Sequence, residues 1–202
     1  VAVDDKGVFE AICSLREDAV MYESKRGNFL CKHCNIMYKD LGVEGYVDIN
    51  RVRECRQAEN LDFWRGRRVW LGLDLSQTDD NTALAMVTEC DGIIYSKVWG
   101  FIPENRIDEK SKRENVDYRS LIRSGACFAC GDDVIGYDFV EQFILRLSEK
   151  YGVDVVQLGY DRYNAMSTVQ KLEADERNPI ECVEIRQHSS VLHPPTKLLL
   201  ES

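Results

Sequence analysis

The stretch "VWLGLDLSQTDDNTALAMV", Val69 to Val87, sets two apolar runs around a polar knot. The knot holds three aspartates, and the first of them, Asp74, sits inside the leading apolar run, where a buried strand would carry another Val or Ile. The runs read as two β-strands joined by a short acidic turn. A carboxylate inside a strand is costly to desolvate, so its presence asks for a chemical reason.

Working outward, "CDG" (Cys90–Gly92) supplies an Asp-Gly hairpin turn, and "IIYSKVWGF" (93–101) a third strand, which completes an antiparallel meander. Pro103 to Val116 is polar and predicts loop with a short helix, and "DYRSLIRSG" predicts one or two helical turns ending at Gly125. "YDFVEQFILRLSEKYG" predicts one helix from Tyr137, with Asp138 as its cap. Val140, Phe143, Ile144 and Leu147 mark its apolar face, and Gly152 closes it. "VDVVQLGYD" follows as a strand ending on Asp161, then a helix over "NAMSTVQKLEAD" and a strand over "IECVEIRQ". Three meander strands continued by α-β-α-β give an α/β, ribonuclease-H-like fold, a mixed sheet flanked by helices. Its first strand pairs in parallel with the strand ending at Asp161.

That pairing places Asp74 and Asp161 face to face across the sheet. Two close carboxylates repel each other, and a hard divalent cation removes the conflict because it selects carboxylate oxygens. Asp80, in the turn, is placed to fold back beside Asp74 as a third ligand or as an outer partner, whereas Asp79 reads as turn chemistry. Taken singly, each of these aspartates is equally readable as a turn or strand-end residue.

The chain of 202 residues is 44% hydrophobic and 30% charged, with a net charge of −9, and has no apolar run long enough to span a membrane. The acidic balance argues against an extended basic surface for nucleic acid. Local basic clusters remain, and Lys112, Arg113 and Arg119 are the candidate DNA contacts. Eight cysteines include two CxxC pairs, Cys31–Cys34 and Cys127–Cys130. They could form a four-cysteine zinc site. The alternation around "GACFACGDDV" instead points Cys127 and Cys130 to opposite faces, so buried thiols in a reducing compartment are the preferred reading and no zinc is expected. His33, His188 and His193 are scattered and read as solvent-facing loop residues. Residues 1–66 read as largely irregular, apart from a helix over "DINRVRECRQAENL" capped by Asp48, with a boundary at "FWRGRR".

Gly72, Asp74, Leu75, Ser76, Asp80, Thr82 and Ala83, followed by Tyr160, Asp161 and Ala165, resemble the nuclease domain of large terminase subunits of tailed bacteriophages and prophages. "IRQHSSVLHPPTKLLLE" and "NFLCKHCNIMY" extend the resemblance from about residue 28 to the end. The resemblance implies a DNA-packaging endonuclease that cuts concatemeric double-stranded DNA with two Mg2+ or Mn2+ ions. Asp74, Asp161 and Asp80 would be its catalytic metal ligands. It further implies a small terminase subunit and a portal protein as partners, and the cytoplasm of a bacterial host as the location. Residues 1–66 would then connect to an ATPase domain, since no GxxxxGK motif followed by Ser or Thr is present, and residues 67–202 would be the nuclease, with a last acidic ligand expected on a helix past Ser202. Rival readings are another ribonuclease-H-like enzyme of resolvase or transposase type, and a DNA- or portal-binding module with an incomplete site. A sugar-kinase or actin-like ATP-binding domain is a third, and Asp79 and Asp80 would there repel phosphate.

Overall fold

The computed structural model describes residues 6–34, 49–76 and 80–201. The chain divides into two compact units, 1–57 and 58–202, ahead of the boundary expected at Gly66. The first unit is helical rather than irregular: α1 (Lys6–Met21) and α2 (Glu23–Cys34) pack on each other, and α3 (Ile49–Glu54) follows. The expectation went astray because Ile12, Leu15 and Ala19 give α1 helical spacing while many apolar residues around them face solvent. Asp48, the cap expected for α3, lies outside the described residues.

The second unit opens with α4 (Leu61–Trp64), where Asn60 accepts the Phe63 N–H as N-cap and Trp64 is buried in the main core. The meander follows: β1 (Arg68–Asp74), β2 (Thr82–Cys90) and β3 (Ile93–Ile102). Asp91 and Gly92 both take positive φ, as a tight hairpin turn between right-twisted strands requires. A 3-10 turn (Glu104–Arg106), α5 (Ile107–Glu114) and α6 (Tyr118–Arg123) lead into β4 (Cys127–Ala129), which pairs in parallel with β3. Then come α7 (Tyr137–Leu145), α8 (Leu147–Tyr151), β5 (Asp154–Tyr160), α9 (Met166–Glu173), β6 (Cys182–Glu184) and α10 (Ser189–Glu201).

The sheet order is β4-β3-β2-β1-β5-β6, with β1 antiparallel to β2 and parallel to β5. The expected pairing of the first strand with the strand after the long helix is therefore observed. This is the ribonuclease-H-like arrangement. The helix expected as one piece from Tyr137 is broken at Arg146, whose N–H reaches both Gln142 and Ile144 carbonyls. The break lets Val140, Ile144, Leu147 and Tyr151 all turn into the core. Gly136, not Asp138, occupies the cap position, and Asp138 faces Lys171 instead.

The two faces of the sheet are covered unequally. Val69, Leu71, Leu73, Leu84, Met86, Trp99, Phe101 and Leu158 form the main core with α7, α8 and α9. Burying each of these side chains contributes roughly 1.5–3 kcal/mol. Neighbouring strand residues point the opposite way. On that second face Ile102 and Cys127 pack with Ile107 of α5 and Tyr118 of α6, while Trp70, Ile94 and Val98 stay exposed. No described helix is long and apolar enough to cross a membrane.

Candidate active site

β1 alternates buried and accessible positions, so Val69, Leu71 and Leu73 enter the main core and Asp74 emerges on the other side, exposed. Leu73 is paired with Tyr160 across the parallel β1–β5 ladder. One residue further on, Asp74 and Asp161 stand at matching positions where the two strands end. The preceding pair on the same face is Gly72 and Gly159, so no side chain from these two strands crowds the approach. The carboxylates therefore sit at the carboxyl ends of neighbouring parallel strands, where open α/β sheets place their ligands.

Asp161 accepts the Tyr163 N–H at 3.3 Å, a turn-forming bond that also fixes the direction of its carboxylate. Among the described residues, no Lys or Arg forms an ion pair with Asp74, Asp80 or Asp161. Two carboxylates at neighbouring strand ends, with no ion-pair cation among the described residues, are a donor set that suits a hard divalent ion. Asp80 is exposed at the far end of the turn. The described residues bring together no group of three or more His, Cys, Asp or Glu side chains that could hold a metal ion. Asp74 and Asp161 thus each follow the last paired residues of neighbouring parallel strands, and Asp80 belongs to no such group among the described residues.

The three basic candidates lie on α5 and α6. Arg119 makes a two-pronged ion pair with Asp108 at 2.9 Å, Arg113 pairs with Glu109 and Glu114, and Lys112 is exposed. Arg119 holds the Asp108 carboxyl below its ordinary range. Of the cysteine pairs, Cys31 and Cys34 are exposed on α2, in the first unit. Cys127 and Cys130 are buried in the second and belong to opposite faces of the sheet, one in each core cluster. Burial pushes the Cys127 thiol up to about 11 and raises that of Cys130. His33 and His193 lie on helices, not loops, and His188 receives the Ser190 N–H at the start of α10.

The sequence reading missed the side chains that hold the acidic turn. Thr82 is buried and its hydroxyl bonds both the N–H and the carbonyl of Ser76. Tyr137 donates to the same carbonyl at 3.1 Å, and Asn81 donates to Tyr118. Only the Ser and Thr that bracket the turn hinted at this in the sequence, because the tyrosines are distant in the chain.

The family model for the terminase large subunit, endonuclease domain, matches residues 5–199. The chain belongs to that family. The match runs through both units, so the helical first unit is part of what defines the family's pattern. Among solved structures, the crystal structure of the HK97 bacteriophage large terminase superposes with a TM-score of 0.67 at 20% identity, over 93% of this chain and 38% of that one. This supports the fold, and the chain spans well under half of the HK97 protein. A Ppx/GppA family member from Aquifex aeolicus aligns at a TM-score of 0.28 and 10% identity, over 59% of this chain and 36% of that one, too loosely to bear on fold or function. No curated protein matches.

Proposed function

We propose that this terminase endonuclease domain hydrolyses phosphodiesters of double-stranded DNA with Asp74 and Asp161 as the ligands of a divalent cation, Mg2+ or Mn2+. The observation that carries the reading is that Asp74 and Asp161 each lie one residue past the paired Leu73 and Tyr160 of β1 and β5, with no ion-pair cation among the described residues. When bound, divalent ions at such a site polarise the scissile phosphate and help generate the attacking hydroxide, two ions serving the entering and leaving oxygens.

The chain's own contribution is placement. Asp74 pairs with Ala83 of β2 and follows Leu73, which pairs with Tyr160 of β5, and Asp161 follows β5 directly and accepts the Tyr163 N–H. Their separation is therefore set by sheet geometry rather than by loop motion. Asp80 serves as the further carboxylate, at the end of the connection that re-enters the sheet at Thr82. Lys112, Arg113 and Arg119 are proposed to meet the DNA backbone, with the two arginines exchanging their carboxylate partners for phosphates. In the assembled packaging motor, the small terminase subunit and the portal are the protein partners, and the work is done in the host cytoplasm.

The test is plasmid nicking with Mn2+ or Mg2+, comparing the wild type with Asp74→Asn. Loss of nicking with an unchanged fold is the expected result. Wild-type nicking by the folded variant would remove Asp74 from the site. A wild-type protein that binds DNA yet never cuts it would favour the DNA- or portal-binding alternative.

A further inference from the structure

The two ends of the connection between β1 and β2, Ser76 and Asn81, are gripped from opposite faces of the sheet. On the main-core side, Thr82 and Tyr137 hold Ser76. On the other side a chain of polar groups runs from α5 to the residue next to Asp80. Asn81 Nδ2 donates to the Tyr118 hydroxyl at 2.5 Å, and that hydroxyl donates to Glu114 Oε2 at 2.5 Å. Glu114 Oε1 is in turn held by Lys110 at 3.2 Å and Arg113 at 3.0 Å. Tyr118 is 6% exposed and Lys110 1%.

The direction of every bond in this chain is fixed. The phenol has one proton and gives it to the carboxylate, so it needs a donor from Asn81. Burial and the Glu114 carboxylate raise the Tyr118 pKa, which keeps that proton in place. The Asn81 amide therefore presents Nδ2 to Tyr118 and turns Oδ1 away, and Oδ1 is buried with no partner among the described residues. A buried acceptor left unpaired weakens a fold, and a polar chain with an unsatisfied end serves stability less well than apolar packing. What the chain provides is orientation. It fixes the residue that follows Asp80, at the point where the turn re-enters the sheet.

We infer that Tyr118, acting through Asn81, is a positioning residue that holds the backbone next to Asp80 so that Asp80 serves the Asp74–Asp161 pair. This rests on the reading of Asp74 and Asp161 as metal ligands. Tyr118→Phe removes both hydroxyl bonds, and Asn81→Ala breaks the last link without touching the buried chain. In DNA-free protein, Mn2+ titrated by calorimetry should bind about tenfold more weakly to either variant, the low end of what loss of an outer partner costs a metal site. Amides 80–82 should exchange faster in the metal-free variants, and nicking should slow. Glu114→Gln, which keeps an acceptor for the phenol, should stay within about threefold of wild type, a neutral partner being the weaker one.

Wild-type Mn2+ affinity and amide exchange in folded Tyr118→Phe and Asn81→Ala would overturn the inference. If Tyr118→Phe fails to fold, Asn81→Ala alone decides. Asp74→Asn and Asp161→Asn separate the two ideas. If they lose Mn2+ binding and the bracing variants do not, only the bracing falls; if they bind Mn2+ as the wild type does, the metal-ligand reading falls with it.

Discussion

Two groups of carboxylates on this domain are built in opposite ways. Between α7 and α9, Glu141 is 5% exposed, yet its oxygens receive Thr168 Oγ1 and Lys171 Nζ, both at 2.8 Å. Lys171 also reaches Asp138 at 2.7 Å. The charge is answered inside the chain, and the group ties two helices together. At the ends of β1 and β5, Asp74 and Asp161 have no such cation among the described residues. A carboxylate whose countercharge is built in is structural, whereas one whose countercharge must come from solution is available for chemistry.

The largest effect expected from this contrast is on cleavage. Asp161→Asn should slow Mn2+-dependent nicking by about 100-fold or more, equivalent to roughly 2.7 kcal/mol in the barrier. Thermal unfolding should be unchanged or slightly later, because a like-charge pair has been relieved. A folded variant that unfolds much earlier would place Asp161 with Glu141 as a structural acid. The converse substitution, Lys171→Met, should lower the melting temperature, since it removes the cation from the buried Glu141 carboxylate. Its nicking rate, measured well below the melting point, should be near wild type. Adding Glu141→Gln to Lys171→Met should restore part of the loss, and no recovery would mean that Lys171 acts through something other than Glu141.

Alkaline titration gives a smaller effect and separates the buried interior from the open site. The Cys127 thiol is pushed from 9.0 up to about 11 by burial, so the folded chain keeps a proton that the unfolded chain releases. Stability from this group is intact below pH 9 and is lost as pH rises toward about 11, by roughly 1–2 kcal/mol. Denaturant unfolding at pH 8 and pH 10.5 measures it, and Cys127→Ala should flatten the difference. The smallest effect is on labelling. At pH 8, iodoacetamide should modify Cys31, Cys34 and Cys55, which are exposed, well before Cys127 or Cys130. Rapid modification of Cys130 would show that the main core opens near the sheet edge.

Much of the second unit was legible because its signals are local. The Asp-Gly hairpin, the apolar alternation of β1 to β3 and the closure at Gly152 each depend on residues a few positions apart. The pairing of the strand that ends at Asp74 with the strand that precedes Asp161 was legible too, since strand order follows from element order. The N-terminal helices were not, because α1 exposes Val8, Phe9 and Leu15 and so lacks a clean polar face. The break at Arg146 was hidden inside a stretch whose spacing fits one continuous helix.

The sequence by itself determined the order of most elements of the second unit, the strand that ends at Asp74 and the strand that Asp161 follows, and the family pattern of the chain. Tertiary structure alone decided what each charged group faces. Asp138 met Lys171 instead of capping its helix, Arg119 met Asp108, and Asn81 met Tyr118. Hydrophobic periodicity sets which face of a strand or helix is buried, and it acts over a few residues. Ion pairs and side-chain hydrogen bonds join positions about 10 to 40 apart in the chain, and their partners are chosen only when packed helices and strands bring those positions within 3 Å or so.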